Sequence, residues 1–236
     1  MKVLSLLDFR WTIRSGEIKP GIILLASALI ITLHRYFGSV EFAVQNYSEI
    51  TSFYSAIFMF STAFLMLGVI PFLMIKILFR DSLSEYGLSI GDYKSGFTFI
   101  VWLFPLITIL LLYPSSNMQE MINYYPFDKQ AGDSIFAFLR FELFRLVFFY
   151  SAWEFFFRGF MLFGLRKYVG DWLAICIQTI PSCLWHIGMP TGEIFASIIG
   201  GILFGVMALK TNSILYPMIL HFLIGATLDF LIVVQL

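Results

Sequence analysis

The sequence is short of charged residues and of cysteine. Only 13% of its 236 residues are charged, whereas a typical soluble domain carries about 25%. Basic and acidic residues balance at 15 each, so no basic excess indicates nucleic acid as a partner. The two cysteines, Cys176 and Cys183, lie on one predicted helix about 10 Å apart, too far for a disulfide within one molecule. Hydrophobic residues are abundant at 59%, and this composition predicts an integral membrane protein.

Apolar windows of about 20 residues, the length that crosses a hydrocarbon core, recur along the chain. They are 21–38, 52–79, 96–112, 146–165, 172–188, 194–209 and 214–234. They predict an all-α, polytopic transmembrane helical bundle of about seven spans. The second window is long and contains Pro71, so we expect it to tilt or kink. We divide the chain into residues 1–134, with N-terminal spans and loops, and residues 135–236, which carry most of the polar side chains within spans.

Lysine and arginine lie mainly in one set of loops. This set contains Lys2, Arg10, Arg14, Lys19, Lys76, Arg80, Arg166, Lys167 and Lys210. The opposite set contains Glu41, Glu49, Glu120, Asp128 and Asp133, with Lys129 as its clear cation. The positive-inside rule therefore predicts a multi-pass protein with a cytoplasmic N-terminus, and we expect the plasma membrane of a prokaryote.

Charged residues also precede the fourth window. Residues 135–145 carry Arg140, Glu142 and Arg145 among phenylalanine and leucine. This pattern is suited to a helical extension that lies at the membrane interface.

Glu154 and Arg158 lie one helical turn apart in the middle of an almost uninterrupted apolar run, residues 146–162. A charge at bilayer depth costs at least ~2.5 kcal/mol on insertion scales, so an intramembrane acid is a functional-site hypothesis. The alternative is a buried ion pair that only fixes helix packing.

Two of the three histidines lie within later windows or at their ends. His186 ends the fifth window, while His221 and then Asp229 lie in the seventh. Glu154 and His221 should both lie about 17 Å from the inner boundary, so they can converge. A carboxylate can act as general base toward water that imidazoles position, which describes amide hydrolysis without a covalent intermediate. A zinc version is equally open, because Glu154, His186 and His221 could supply three ligands.

The order of these residues resembles the CAAX-protease and bacteriocin-processing (CPBP) family of intramembrane endopeptidases. Residues 153–159 resemble the first motif of the family, residues 182–186 resemble the second with serine in place of phenylalanine, and His221 aligns with the third. The resemblance implies that residues 135–236 form a CPBP-like intramembrane protease core. It further implies a hydrophobic or lipidated peptide or protein as substrate, met within membrane lipid.

The sequence departs from the family pattern at two chemically important positions. Trp153 stands at the first glutamate of the motif, which the family uses to activate water, and Glu154 stands at the second. Gly225 stands where asparagine or aspartate is usual. By this resemblance the base is either replaced by Glu154 or missing, and an oxyanion donor is absent unless Asp229, one turn further along, reaches the site.

We therefore predict a glutamate-histidine endopeptidase, with metal-free water and zinc-bound water as the two alternatives for the nucleophile. The predicted roles are Glu154 as base, Arg158 as its orienting partner, His186 and His221 as holders of water or metal, and Asp229 and Glu193 as supporting groups. One alternative is a noncatalytic membrane scaffold or bacteriocin-immunity-type member of the same fold. Another is a small proton-coupled transporter that uses these groups as a proton relay, against which stands the lack of an evident inverted repeat.

Overall fold

The computed structural model describes residues 14–235, and within that range the chain is helical without a β-strand, which confirms the all-α prediction. Helices form because long apolar segments satisfy their own backbone polar groups in a bilayer only as helices or closed barrels. The helices are α1 (Ser15–Phe37), α2 (Val40–Asn46), α3 (Ser52–Phe79), α4 (Tyr93–Ser115), α5 (Gln119–Tyr124), α6 (residues 135–169), α7 (Asp171–Trp185), α8 (Thr191–Thr211) and α9 (Leu215–Val233).

Five of these helices are long and apolar enough to cross a membrane, namely α1, α3, α4, α8 and α9. The other two predicted spans fall on α6 and α7. Helix α6 is about 50 Å long but carries several charges, and α7 has 15 residues, about 22 Å. The count of seven spans therefore stays a prediction. Cys176 and Cys183 are free thiols on α7, in agreement with their spacing.

Helix α6 is the centre of the bundle. Every residue from 152 to 165 is buried, because this stretch is apolar on all sides and the other helices surround it. Next to it α7 and α8 approach closely, since a Cβ added at Gly201 would lie 2.7 Å from the side chain of Thr179. This packing places the end of α7 and the beginning of α8 near the middle of α6.

The loops gather at the two ends of the bundle. The first end, here called the cationic end, comprises residues 14–19, 76–94, 166–171 and 210–214. There Lys19 pairs with Asp81, and Ser89 donates a hydrogen bond to the Asn212 carbonyl oxygen at 2.8 Å. The opposite end comprises residues 35–52, 116–134 and 186–193. Seven of the predicted loop cations lie at the cationic end, while Lys2 and Arg10 lie outside the described residues. The orientation relative to the cytoplasm stays a prediction.

The interfacial position expected for residues 135–145 stays a prediction, but two of the three charged side chains are buried in the bundle. Glu142 and Arg145 are 3% and 4% exposed, and Arg145 Nη1 lies 3.4 Å from Glu142 Oε1. They form an i, i+3 pair on α6, so that their charges point into the bundle together. Arg140 lies over the ring of Phe53, 4.0 Å from its centroid.

Candidate active site

Glu154 is completely buried near the middle of α6, and two side chains bind the same carboxylate oxygen. Arg158 Nη1 lies 3.2 Å from Glu154 Oε1, across one turn of the same helix. His221, from α9, places its Nδ1 atom 2.7 Å from that oxygen. The structure thus brings together three of the predicted site residues.

The hydrogen bonds of the two histidines determine which ring nitrogen carries the proton. His221 Nδ1 faces a carboxylate oxygen that also accepts from Arg158, so Nδ1 must donate. His186 Nδ1 lies 2.7 Å from the carbonyl oxygen of Ser182, one turn earlier, and a carbonyl can only accept. Each neutral imidazole therefore has its Nε2 lone pair left for another partner.

Both histidines line a small, partly open cavity of about 40 Å³. A water molecule needs about 10–15 Å³ of such volume, so this cavity has room for water but not for a peptide. The other lining residues include Tyr125, Phe127, Arg145, Tyr150, Trp153, Trp185, Met189 and Glu193. Glu154 is not among the lining residues, so it lies behind His221 as seen from the cavity.

Trp153 lies near both histidines in the cavity wall. Its ring centroid is 5.7 Å from that of His186 and 6.4 Å from that of His221, and both rings meet it at steep angles. The side chain is buried, yet its Nε1 atom has no hydrogen-bond partner among the described residues. The same is true of Glu154 Oε2. A buried donor and a buried acceptor are thus left unused at this site.

Glu193 comes to the site from the first turn of α8. Tyr125, in the loop before α6, lies within hydrogen-bonding distance of both its carboxylate oxygens, 2.7 Å from Oε1 and 2.8 Å from Oε2. His186 Nε2 lies 3.9 Å from Glu193 Oε1. This distance is too long for a hydrogen bond but short enough for an electrostatic interaction between the two groups. Glu193 therefore lies beside His186 in the cavity wall, and its supporting role stays a prediction.

Asp229 is held in a separate buried cluster. Its Oδ2 atom lies 2.7 Å from Arg145 Nη1, and Arg145 also contacts Glu142. The space at Gly225, one turn before Asp229, is filled from α6, because a Cβ added there would lie 1.8 Å from the hydroxyl oxygen of Tyr150. Asp229 is thus a partner of Arg145 and is not among the residues that line the cavity.

Sequence reasoning missed Tyr125, Tyr150 and Arg145 as neighbours of the site. The i, i+3 spacing of Glu142 and Arg145 was a usable signal for Arg145, since two opposite charges one turn apart can be buried together. No local pattern distinguishes Tyr125 or Tyr150 from the many other aromatic residues of the chain.

The three predicted zinc ligands do not form a ligand set in this arrangement. Glu154 Oε1 is already bound by His221 and Arg158 and Glu154 does not line the cavity, so only the Nε2 lone pairs of the two histidines are available there, fewer than the three ligands that a zinc site needs. Among residues 14–235, no group of three or more His, Cys, Asp or Glu side chains is placed to hold a metal ion. We therefore derive no step through a metal.

The fold and site together define a polytopic helical membrane protein with a buried carboxylate–imidazole pair beside a water-sized cavity. Residues 135–227 match the family of type II CAAX prenyl endopeptidase Rce1-like proteins. This segment is less than half of the chain, but it contains Glu154, His186 and His221. The match confirms the resemblance to the CPBP family and supports peptide hydrolysis as the class of activity. Comparisons with curated proteins and with solved structures found no match.

Proposed function

We propose that the protein is an intramembrane endopeptidase of the CAAX-protease type that hydrolyses a hydrophobic or prenylated peptide. The observation that carries this proposal is the 2.7 Å contact between His221 Nδ1 and Glu154 Oε1, with His221 facing a cavity large enough for one water. A histidine oriented by a buried carboxylate is a recurring general base.

In the proposed mechanism His221 is the base and Glu154 is the residue that positions it. His221 Nε2 takes a proton from water, and the resulting hydroxide adds to the carbonyl carbon of the scissile bond. The carbon–nitrogen bond then breaks, and the proton passes from His221 to the leaving nitrogen. Glu154 stabilises the imidazolium while it exists, and this stabilisation is strong because little water screens the pair.

In this mechanism Glu154 remains a residue of the site, but its role changes from the base to the group that orients His221. A carboxylate that lies behind His221 and is bound by Arg158 is better suited to orient the imidazole than to touch water. His186 supplies a second acceptor, because its Nε2 lone pair is left available by the Nδ1 contact with Ser182. The two acceptors can hold one water with its protons directed toward nitrogen and its lone pair toward the substrate.

A peptide can reach this cavity only if part of the wall moves. The helical walls belong to the core of the bundle, whereas Tyr125 and Phe127 come from the loop between α5 and α6. The segment from residue 116 to residue 134 packs on the bundle through Met121, Tyr125 and Ala131, but it is a connecting segment, which opens at lower free-energy cost than the central helix. We propose that residues 116–134 are displaced when substrate binds.

The test is cleavage of a farnesylated peptide and of its unprenylated twin by protein reconstituted into liposomes, with products identified by mass spectrometry. The key variant is His221→Asn, because the asparagine amide can replace Nδ1 as donor to Glu154 while the Nε2 base is lost. We expect a decrease in kcat of about 10²–10⁴-fold. The matched control is His34→Gln, since His34 is buried outside the cavity lining and uses its Nε2 atom to reach the Met59 carbonyl oxygen.

Three outcomes would contradict this function in different ways. No cleavage of either peptide by the unchanged protein would favour the noncatalytic scaffold or immunity-type member of the family. Proton-coupled flux across the liposomes without cleavage would favour the transporter. Activity that a chelator abolishes and zinc restores would show that the metal-free mechanism is wrong.

A further inference from the structure

The side chain of Tyr150 brings a hydroxyl group to the cavity wall. Tyr150 lies one turn before Glu154 on α6, and its ring centroid is 4.8 Å from that of His221. The hydroxyl oxygen has no hydrogen-bond partner within residues 14–235, yet it is not completely enclosed, unlike Trp153 Nε1. Since Tyr150 is otherwise buried and lines the cavity, its hydroxyl is a donor that a molecule in the cavity can reach.

Gly225 leaves space for this hydroxyl. It lies one turn after His221 on α9, so a side chain at this position would be on the same face as the imidazole. A Cβ added there would lie 1.8 Å from the Tyr150 hydroxyl oxygen and 3.2 Å from Arg145 Nη2. A larger residue at this position would therefore displace the hydroxyl, whereas glycine lets two donors from α6 meet one turn from the proposed base.

The proposed hydrolysis requires a donor in the cavity. Both His186 and His221 use Nδ1 as donor elsewhere, so their Nε2 atoms present lone pairs. Lone pairs can hold and deprotonate water, but they cannot stabilise the negative oxygen that forms when water adds to a carbonyl group. That oxygen needs N–H or O–H groups directed at it in a site from which bulk water is excluded.

The other donors of the cavity wall are less suited to this role. Tyr125 is bound to Glu193 and belongs to the segment that we expect to move when substrate binds. Trp153 Nε1 is completely enclosed. Arg145 Nη2 also lacks a partner within the described chain, but the guanidinium is paired with Asp229 through Nη1. The hydroxyl is thus a neutral donor without another commitment, and Nη2 lies beside it.

We propose that Tyr150 is a catalytic residue whose hydroxyl donates a hydrogen bond to the carbonyl oxygen of the scissile peptide and stabilises the oxyanion, with Arg145 Nη2 as a second donor. This proposal rests on the proposed function. When hydroxide adds to the carbonyl carbon, the π electrons move to the oxygen, and the hydroxyl holds that oxygen without giving up its proton. When the carbon–nitrogen bond breaks, the carbonyl group re-forms and the leaving nitrogen takes the proton held by His221.

The experiment is the substitution Tyr150→Phe, which removes one hydroxyl and keeps the ring. Its matched control is Tyr216→Phe, because Tyr216 is also buried, lies outside the cavity lining and donates to the Ile90 carbonyl oxygen at 2.7 Å. We expect Tyr150→Phe to lower kcat by about 10²–10³-fold, the usual effect of removing one oxyanion donor, with little change in KM. Tyr216→Phe should leave both values unchanged.

Thermal unfolding of the same two variants separates a catalytic hydroxyl from a structural one. The Tyr150 hydroxyl has no partner to lose within residues 14–235, so Tyr150→Phe should unfold within about 2 °C of the unchanged protein. A midpoint of Tyr150→Phe below that range and below that of Tyr216→Phe would mean that the hydroxyl supports the fold, and the proposal would be overturned.

Binding of a transition-state analogue tests the contact with the oxyanion directly. A peptide phosphonate carries the tetrahedral oxyanion, so its affinity for Tyr150→Phe should fall by the same factor as kcat while the affinity for the substrate peptide is retained. Equal loss of both affinities would show that the hydroxyl does not distinguish the oxyanion from the substrate, which overturns the proposal.

The activity of Tyr150→Phe also decides between the two proposals. Activity within about threefold of the unchanged protein, far from the loss of about 10²-fold that is typical of a missing oxyanion donor, would overturn the role of Tyr150. If His221→Asn is inactive in the same assay, the proposed function survives that result. Absence of cleavage by the unchanged protein would overturn both proposals together.

Discussion

Replacement of Glu154 by glutamine tests whether stability and catalysis depend on the same carboxylate. Glutamine keeps the shape of the side chain and removes its charge, so the Arg158 guanidinium, 2% exposed, loses its counter-charge. An uncompensated buried charge costs about 3–5 kcal/mol. At about 2–4 °C per kcal/mol for a chain of this size, we expect the thermal midpoint of Glu154→Gln to fall by about 6–20 °C.

A second substitution should restore the stability without restoring activity. Arg158→Met, added to Glu154→Gln, removes the unpaired charge, and replacing a whole buried ion pair by less polar groups is commonly neutral or stabilising. The double variant should therefore unfold close to the midpoint of the unchanged protein. It should still fail to cleave peptide, because His221 would lack the carboxylate that orients it and stabilises its protonated form.

The assay is thermal unfolding in detergent, followed by peptide cleavage on the same preparations. Glu49→Gln is the control, since Glu49 is an exposed residue of the loop between α2 and α3. A midpoint for Glu154→Gln within about 2 °C of the unchanged protein would mean less than about 1 kcal/mol of pairing, and the argument from the buried charge would be refuted. Cleavage by the folded double variant would refute the role of Glu154 in orienting His221.

Two other predictions concern packing and orientation. Gly225→Ala should lower the thermal midpoint, because its Cβ would lie 1.8 Å from the Tyr150 hydroxyl oxygen and overpacking costs about 1–3 kcal/mol. Addition of Tyr150→Phe should recover part of the loss. An unchanged midpoint in Gly225→Ala would contradict the close approach. Glu120→Cys and Lys94→Cys, made without the native cysteines, should react with an impermeant thiol reagent from opposite sides of intact cells or vesicles. Glu120→Cys should react from outside, and the reverse result would show that the predicted orientation is wrong.

The helices and the Glu154–Arg158 pair could be predicted because their causes are local. An apolar stretch of about 20 residues must be helical to cross a bilayer, and two residues four apart on a helix must share a face. The approach of His221 to Glu154 was also predictable in outline, since counting residues from the helix ends places both at a similar depth.

Glu142 and Arg145 are buried although they are charged, because charge alone does not decide the exposure of a side chain. Arg145 is paired with a second carboxylate, Asp229 on α9, and this pairing offsets the free-energy cost of burying both charges. Because Asp229 is bound to Arg145, it does not line the cavity, where the family resemblance implies a donor near the scissile bond. Nothing near Arg145 in the sequence indicates which distant helix will supply its partner.

Hydrophobicity and helical spacing are properties of neighbouring residues, so the helical membrane bundle and the ionisable residues within it can be predicted from the sequence. The tertiary structure adds that Glu154 lies behind His221, that Tyr150 fills the space at Gly225 and that the Trp153 indole N–H has no partner within residues 14–235. These facts depend on which faces of α6, α7 and α9 meet. That choice is made by close packing among residues far apart in the chain.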